Sequence, residues 1–120
     1  MDNKCLGALG EEIAATYLHR NGYAVLVKNF KVKIGEIDLI AKDKDVFVFV
    51  EVKTRRSLKF GNAAEAVNYY KQRKIIKVAQ WYLQQKNMLD QPCRFDVVEV
   101  YYENTENYRV HQIKNAFEVC

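Results

Sequence analysis

The sequence predicts an α/β fold in which helices pack on a mixed β-sheet of about five strands. Two segments carry apolar residues at helical spacing, and five others alternate in polarity or are rich in β-branched and aromatic residues. These segments follow one another in the order αβββαββ, with no internal repeat and no linker between them. We therefore expect a single domain over residues 1–120.

The first half of the chain predicts one helix and three strands. The helix covers residues 7–21, because Leu9, Ile13 and Tyr17 recur along one face and Asn21-Gly22 supplies a left-handed stop. A turn at Asp43-Lys44-Asp45 makes a hairpin of the last two strands. The three strands are predicted over residues 23–32, 36–42 and 46–53.

The second half predicts a long helix and two further strands. The helix covers about residues 63–87, and Gln91-Pro92 ends this region before strands at 94–102 and 108–114. Tyr69 and Tyr70 are candidates for stacking on unpaired bases, whereas Trp81 is expected in the core. The residues expected to form the buried stripe of the helix are Val67, Ile75, Val78, Ala79, Tyr82 and Leu83.

The composition excludes several classes of protein. With 49% hydrophobic residues, five Gly and one Pro, the chain is neither disordered nor low in complexity. Its three cysteines are far apart and form no CxxC or Cys/His cluster, so neither a disulfide framework nor a zinc site is expected. The longest apolar run, Val46 to Val50, is far shorter than the ~20 residues that span a bilayer. Because the N-terminus also has no signal-peptide core, we expect a cytoplasmic protein that does not enter a membrane.

Positive charge is concentrated in one fifth of the chain. Residues 53–77 contain eight Lys and Arg and one Glu, a net charge of +7 in a chain whose total is +4. Such a segment is expected where one surface meets a polyanion, although an exposed helix face beside a charged loop would have the same composition. The basic residues predicted to contact nucleic acid are Arg55, Arg56, Lys59, Lys71, Lys74 and Lys77.

Two carboxylates lie on neighbouring strands of the predicted hairpin. Because side chains alternate across a strand, a turn with an even number of residues, for instance Lys44 and Asp45, places Asp38 nearly opposite Glu51 on one face. A three-residue turn would separate them. Carboxylates ~5 Å apart on paired strands repel each other unless a cation lies between them. Their oxygens suit Mg²⁺ or Mn²⁺, so the sequence predicts a metal site at Asp38 and Glu51.

Lys53 follows Glu51 at the next position on the same face of the strand. It could orient or help to deprotonate a metal-bound water, or neutralise charge on a phosphate, as metal-assisted phosphodiester hydrolysis requires. Cross-strand ion pairs on an exposed sheet face are the alternative. We favour an active site, because Phe47 and Phe49 share the face of Glu51 while valines fill the other face, so both faces are expected to be buried.

Several ordered motifs of the chain resemble a known family. They are GALGEEIAATYL, GEIDLIAKDKDVFVFVEVKTR, YYKQRKI and RFDVVEV, and the resemblance covers about residues 7–101. An acidic residue on one strand followed by Glu-x-Lys on the next resembles the PD-(D/E)xK nuclease superfamily. The whole set resembles the YraN-type family of small bacterial proteins, which are related to archaeal Holliday junction resolvases.

This resemblance implies a restriction-endonuclease-like fold and a metal-dependent endonuclease-like protein that acts on structured or branched DNA. Carried over by position, Glu12, Asp38, Glu51 and Lys53 would form the catalytic set, with Mg²⁺ or Mn²⁺ as cofactor. Gln72 lies where related nucleases place a supporting polar residue at the nucleic acid. Related resolvases are dimers, so a homodimer is one candidate assembly. The alternative is a catalytically inactive DNA-binding module of the same fold that serves recombination or DNA uptake.

Overall fold

The part of the chain that the structure describes, residues 1–56 and 67–118 of a computed structural model, contains two helices and five strands. Their order is αβββαββ, which confirms the predicted α/β fold. Neither described helix is long and apolar enough to cross a membrane. In chain order the elements are α1 (Asn3–Arg20), β1 (Ala24–Val32), β2 (Gly35–Asp43), β3 (Val46–Arg55), α2 (Tyr69–Gln85), β4 (Cys93–Asn104) and β5 (Asn107–Phe117).

The five strands form one mixed sheet in the order β1-β2-β3-β4-β5. Neighbouring strands pair antiparallel, except for β3 and β4, which run parallel. Parallel neighbours need a long crossover connection, and α2 lies in that connection. β3 is the central strand of the sheet, so side chains at its end are supported by neighbouring strands on both sides.

The two helices cover opposite faces of the sheet. α2 packs on the face that carries Phe47 and Phe49, where Tyr82 meets both rings edge-on at centroid distances of 6.3 and 6.0 Å. α1 packs on the opposite face, which carries Val48 and Val50. Both faces of β3 are thus buried, as the sequence predicted. A charged side chain on this strand is costly unless another group compensates its charge.

Each helix begins at a side-chain cap. Asp2 Oδ1 accepts the N–H of Cys5 at 2.8 Å, so α1 begins before residue 7, the start predicted from sequence. Asn68 Oδ1 accepts the N–H of Lys71 at 2.9 Å and caps α2. The helix predicted over 63–87 is therefore observed as Tyr69–Gln85, and the first four residues of that prediction lie outside the described residues.

The residues predicted for the buried stripe of the long helix are all buried, although Val67 lies before the start of α2. Trp81 was also expected in the core, but it is not buried. Trp81 is 40% exposed, and its ring lies 6.1 Å from that of Phe30, which it covers from outside. Tyr82, the next residue, is buried. Successive residues are ~100° apart around a helix, so the two aromatic side chains cannot both face the sheet.

α1 approaches β3 very closely at Gly10, which is buried. A Cβ atom on this glycine would lie 1.9 Å from Oγ1 and 2.9 Å from Cβ of Thr54. These distances leave no room for a side chain between helix and strand. The contact sets the position of α1 on the sheet and therefore also the position of Glu11, the next residue.

Gly10→Ala is expected to lower the free energy of unfolding by about 1–3 kcal/mol, because the added methyl group forces α1 or Thr54 to move. Gly7→Ala is the matched control in the same helix. Nothing lies within 4 Å of the Cβ position at Gly7, and alanine in place of a helical glycine stabilises by about 0.5–1 kcal/mol. Urea unfolding followed by circular dichroism measures both effects. Stabilisation by both substitutions would contradict the close contact.

Candidate functional site

The candidate site lies at the open end of the hairpin formed by β2 and β3. Asp43 pairs with Val46, which leaves a two-residue turn between the strands. The even turn that the sequence analysis required is therefore confirmed. Continued to the open end of the hairpin, this register places Asp38 opposite Glu51.

Asp38 lies where the hydrogen-bonded ladder between β2 and β3 stops. The last paired residues are Leu39 and Val50. One residue further, Asp38 Oδ2 accepts the backbone N–H of Val52 at 2.8 Å. The side chain of Asp38 thus takes the place of backbone pairing, and a carboxylate occupies the space between the two strands.

Glu51 is a buried carboxylate that interacts with two ammonium groups. Its side chain is 7% exposed and lies on the face of β3 that α2 covers. Lys71 Nζ, from the first turn of α2, is 2.5 Å from Glu51 Oε1, and Lys53 Nζ is 3.9 Å from the same oxygen. The burial of Glu51 is therefore compensated by positive charge from both its own strand and the helix above it.

Asp38 titrates far above an ordinary aspartate. Burial and the negative charge of Glu51 raise its pKa from 3.8 to about 7, against the opposing effects of the Val52 N–H and the Lys71 charge. Near neutral pH the carboxyl group is therefore close to half protonated. Additional positive charge at this position would favour its ionised form.

Glu11, rather than Glu12, is the carboxylate of α1 that reaches this region. Burial raises the pKa of Glu11, and the negative charge of Glu51 adds to the shift. Glu12 has a side chain that is 65% exposed and paired with Lys28 at 3.2 Å. The structure therefore does not bring Glu12 to the site, which corrects its assignment from the sequence.

The two lysines of the site differ in how firmly they hold their protons. Burial and the positive charge of Lys71 lower the pKa of Lys53. Burial also disfavours the charge of Lys71, but its hydrogen bond to Glu51 and the charge of that carboxylate outweigh burial and raise its pKa. Lys71 is thus the fixed positive charge of the site, and Lys53 gives up its proton more readily.

Asp38 and Glu51 are the residues that could hold a divalent cation. Within residues 1–56 and 67–118, no three His, Cys, Asp or Glu side chains come together as a metal cage. Mg²⁺ does not need one, because it retains several waters and usually binds one or two carboxylates plus substrate phosphates. This donor set therefore fits Mg²⁺ or Mn²⁺. It does not fit Zn²⁺, which takes three or four protein ligands.

Three of the predicted basic nucleic-acid contacts lie on α2. Lys71 points into the site, whereas Lys74 and Lys77 are exposed. Arg55, at the end of β3, is half-buried. Lys59 lies outside the residues that the structure describes. Lys71 therefore belongs to the site, whereas Lys74 and Lys77 lie on the outer surface of the same helix.

Two further residues predicted to contact nucleic acid donate hydrogen bonds within the protein instead. The Arg56 guanidinium donates to the Met1 carbonyl oxygen at 3.3 Å and to Asn3 Oδ1, so it fastens the end of β3 to the start of α1. Gln72 Nε2 donates to the Val67 carbonyl oxygen at 3.0 Å, just before α2 begins. Both side chains support the backbone near the site.

Glu11 and Lys71 were not predicted among the charged side chains around Asp38. The spacing of small residues contains a signal for Glu11, because Gly10 and Ala14 mark the buried face of α1. Glu11 flanks that face, and Glu12 lies a further ~100° around the helix. Lys71 has no comparable signal, since its position depends on how α2 docks on the sheet.

The chain is similar to proteins of one family. A family model described as Uncharacterised protein family UPF0102 matches residues 10–100. The UPF0102 protein of Caldanaerobacter subterraneus subsp. tengcongensis is 51% identical over 119 residues, which are 98% of each chain. That of Clostridioides difficile strain 630 is 47% identical over 117 residues, 98% of this chain and 100% of the relative. Among solved structures, SfsA of Pyrococcus furiosus in complex with Ca²⁺ matches at 16% identity with a TM-score of 0.44, over 98% of this chain and 66% of that one.

Proposed function

The chain belongs to the uncharacterised protein family UPF0102, and we propose that it is a metal-dependent endonuclease-like protein that hydrolyses phosphodiester bonds in structured or branched DNA. The observation that carries this proposal is the meeting of Asp38 and Glu51 at the end of a hairpin, with Lys53 and Lys71 beside them. Paired carboxylates next to lysines are the groups that metal-assisted phosphodiester hydrolysis requires. The resemblance of these motifs to the PD-(D/E)xK nucleases supports the same assignment.

Asp38 and Glu51 would hold Mg²⁺ or Mn²⁺. When bound, such an ion polarises a phosphoryl oxygen and lowers the pKa of a water molecule. The contribution of the protein is to keep two carboxylates together at a cost, since burial and the charge of Glu51 raise the pKa of Asp38. Glu11 contributes further negative charge nearby, since it also raises the pKa of Asp38.

The two lysines suit two different tasks in hydrolysis. Lys71, which keeps its proton, can neutralise the negative charge that grows on the phosphate in the transition state. Lys53, whose pKa is lowered, is the better acceptor for a proton from the attacking water. Both ammonium groups lie within 4 Å of one oxygen of Glu51. One carboxylate thus orients both groups.

One observation favours the alternative, a DNA-binding module without catalysis. The ammonium group of Lys71 already neutralises Glu51 at 2.5 Å, so the charge of that carboxylate is compensated without a metal. In a binding module the same lysines would contact phosphates, and Asp38 would stay partly protonated near neutral pH. The two functions differ in one measurable property, which is whether the protein binds a divalent cation.

Incubation of the purified protein with a four-way DNA junction and increasing Mn²⁺ tests the proposed function. We expect cleavage of the junction that depends on the metal and stops with EDTA, because the donor set fits such an ion. A linear duplex of the same sequence is the substrate control, and its cleavage should be slower. If the protein neither cleaves the junction nor binds Mn²⁺ in calorimetry, the enzyme is excluded and the binding module takes its place.

A further inference from the structure

α2 presents an unusual surface to solvent. Its sequence, YYKQRKIIKVAQWYLQQ, contains four Lys and Arg and no Asp or Glu. Its apolar side chains Ile75, Val78 and Leu83 are buried against the sheet. The outward face therefore carries positive charge with no acidic residue of the same helix to balance it.

Four exposed side chains of α2 form one continuous stripe. Tyr70, Lys74, Lys77 and Trp81 follow the spacing i, i+4, i+7 and i+11, which keeps them on one side of a helix. Tyr70 is 70% exposed and Trp81 40% exposed, and both lysines are exposed as well. We call these four residues the α2 stripe. An aromatic ring stands at each end, with two ammonium groups between them, over a length of about 17 Å.

Each ring of the α2 stripe has one neighbouring group and remains exposed to solvent. Lys74 Nζ lies 5.0 Å from the centroid of the Tyr70 ring. Trp81 is supported from below by Phe30, at a centroid distance of 6.1 Å, and still exposes 40% of its surface. A ring held in place on one side and open to solvent on the other is suited to stacking with a flat partner.

We propose that the α2 stripe binds an unpaired, single-stranded segment of DNA. Tyr70 and Trp81 stack on bases, and Lys74 and Lys77 contact the phosphates between them. A single strand has open base faces and a flexible backbone, whereas a duplex stacks its bases inside and holds its phosphates in a fixed helix. Exposed aromatic rings can stack on the open bases, and the neighbouring cations can contact the phosphates. The inference rests on the proposed function and refines its substrate, because the stripe begins next to Lys71 of the site.

A membrane surface is the other polyanion that a helix with aromatic and basic residues could meet. Helices that lie in a membrane interface insert an apolar face among the lipids. The apolar face of α2 is already buried in the core by residues such as Ile75, Ile76 and Val78. The positive charge and the exposed rings of the α2 stripe therefore favour nucleic acid over a membrane as its ligand.

Intrinsic tryptophan fluorescence can monitor binding at this surface, because Trp81 is the one tryptophan of the chain. We expect a short oligothymidylate, added at low salt with EDTA present, to quench the Trp81 fluorescence in a saturable way. A duplex of equal length should quench less and bind more weakly. Binding should weaken as salt rises, and Lys74→Ala with Lys77→Ala should reduce the slope of log affinity against log salt.

Tyr70→Ala is expected to weaken oligothymidylate binding by about five- to 150-fold, the loss measured when one stacked base loses its aromatic partner. Tyr69→Ala is the matched control. Tyr69 is the same residue type, equally exposed at 70%, but it lies ~100° around the helix from the stripe. We expect Tyr69→Ala to leave the affinity unchanged. Circular dichroism checks that both variants fold.

Three results would overturn the inference. They are an absence of quenching by oligothymidylate at low salt, equal losses from Tyr69→Ala and Tyr70→Ala, and quenching by anionic vesicles but not by DNA. Because these measurements contain EDTA, they do not depend on cleavage. If the native protein does not bind the single strand but still cleaves DNA with metal, only the proposal for the α2 stripe is wrong. Strand binding without any metal-dependent cleavage supports the stripe and rejects the proposed enzyme.

Discussion

Glu51→Gln is expected to abolish metal-dependent DNA cleavage and to remove Mn²⁺ binding. Glutamine keeps the shape of the side chain but not the negative charge that would hold the ion. Loss of one electrostatic group from an active site reduces kcat by about 10²–10³-fold, and loss of a metal ligand removes the ion's contribution as well. DNA binding should remain or become tighter, because Lys71 loses its carboxylate partner and becomes available to phosphates.

The chain supplies a matched control for this substitution. Glu12→Gln makes the same chemical change at an exposed residue paired with Lys28, and we expect it to leave cleavage and Mn²⁺ binding unaltered. Calorimetry with Mn²⁺ in the absence of DNA measures the metal directly, and circular dichroism confirms the fold. If Glu51→Gln binds Mn²⁺ as the native chain does, or if Glu12→Gln is the inactive variant, this description of the site is wrong.

Asp38→Asn is expected to stabilise the metal-free protein above about pH 7 by up to about 4 kcal/mol. The pKa of Asp38 is raised from 3.8 to about 7, so the folded state holds the proton more tightly than the unfolded chain does. The native protein therefore loses stability as the pH rises from about 4 to about 7, and the loss is complete above that range. Asparagine remains neutral throughout, and its side-chain oxygen can still accept the N–H of Val52.

Urea unfolding in EDTA at a series of pH values measures this difference. The two proteins should have similar stabilities near pH 4 and diverge as the pH rises, with the variant the more stable. Asp96→Asn is a useful comparison, because Asp96 is also buried but pairs with Arg94 at 3.1 Å, so removal of its charge should destabilise. Parallel pH profiles for the native protein and Asp38→Asn would show that Asp38 carries no unfavourable charge.

Features set by local sequence were predictable. The hairpin follows from a turn cluster between two β-rich segments, and the two-residue turn then fixes the register by the alternation of side chains. The sequence left the length of the turn open. Given the two-residue turn, the opposition of Asp38 and Glu51 needs no knowledge of the remaining chain. The buried stripe of α2 was also predictable from local sequence. Helical periodicity identifies the apolar face of a helix, whichever element packs against that face.

Features set by the docking of helices were not predictable. Neighbouring glutamates differ by ~100° around α1, and the contact of Gly10 with Thr54 decides which of them faces the sheet. Lys71 was predicted to contact nucleic acid, but the position of α2 brings its ammonium group to Glu51. Trp81 was expected in the core because large aromatic side chains usually are, yet its neighbour Tyr82 takes the inward direction.

From the short turn between β2 and β3 we also expect a particular order in which the charges of the site meet during folding. A hairpin with a two-residue turn forms in about 1–10 μs, and it brings Asp38 and Glu51 together through contacts that are local in sequence. The parallel pairing of β3 with β4 must first close a loop that contains all of α2, and such long-range pairing is slower. We therefore expect the two carboxylates to meet early in folding, beside Lys53 of the same strand, whereas Lys71 reaches Glu51 only when α2 docks on the sheet.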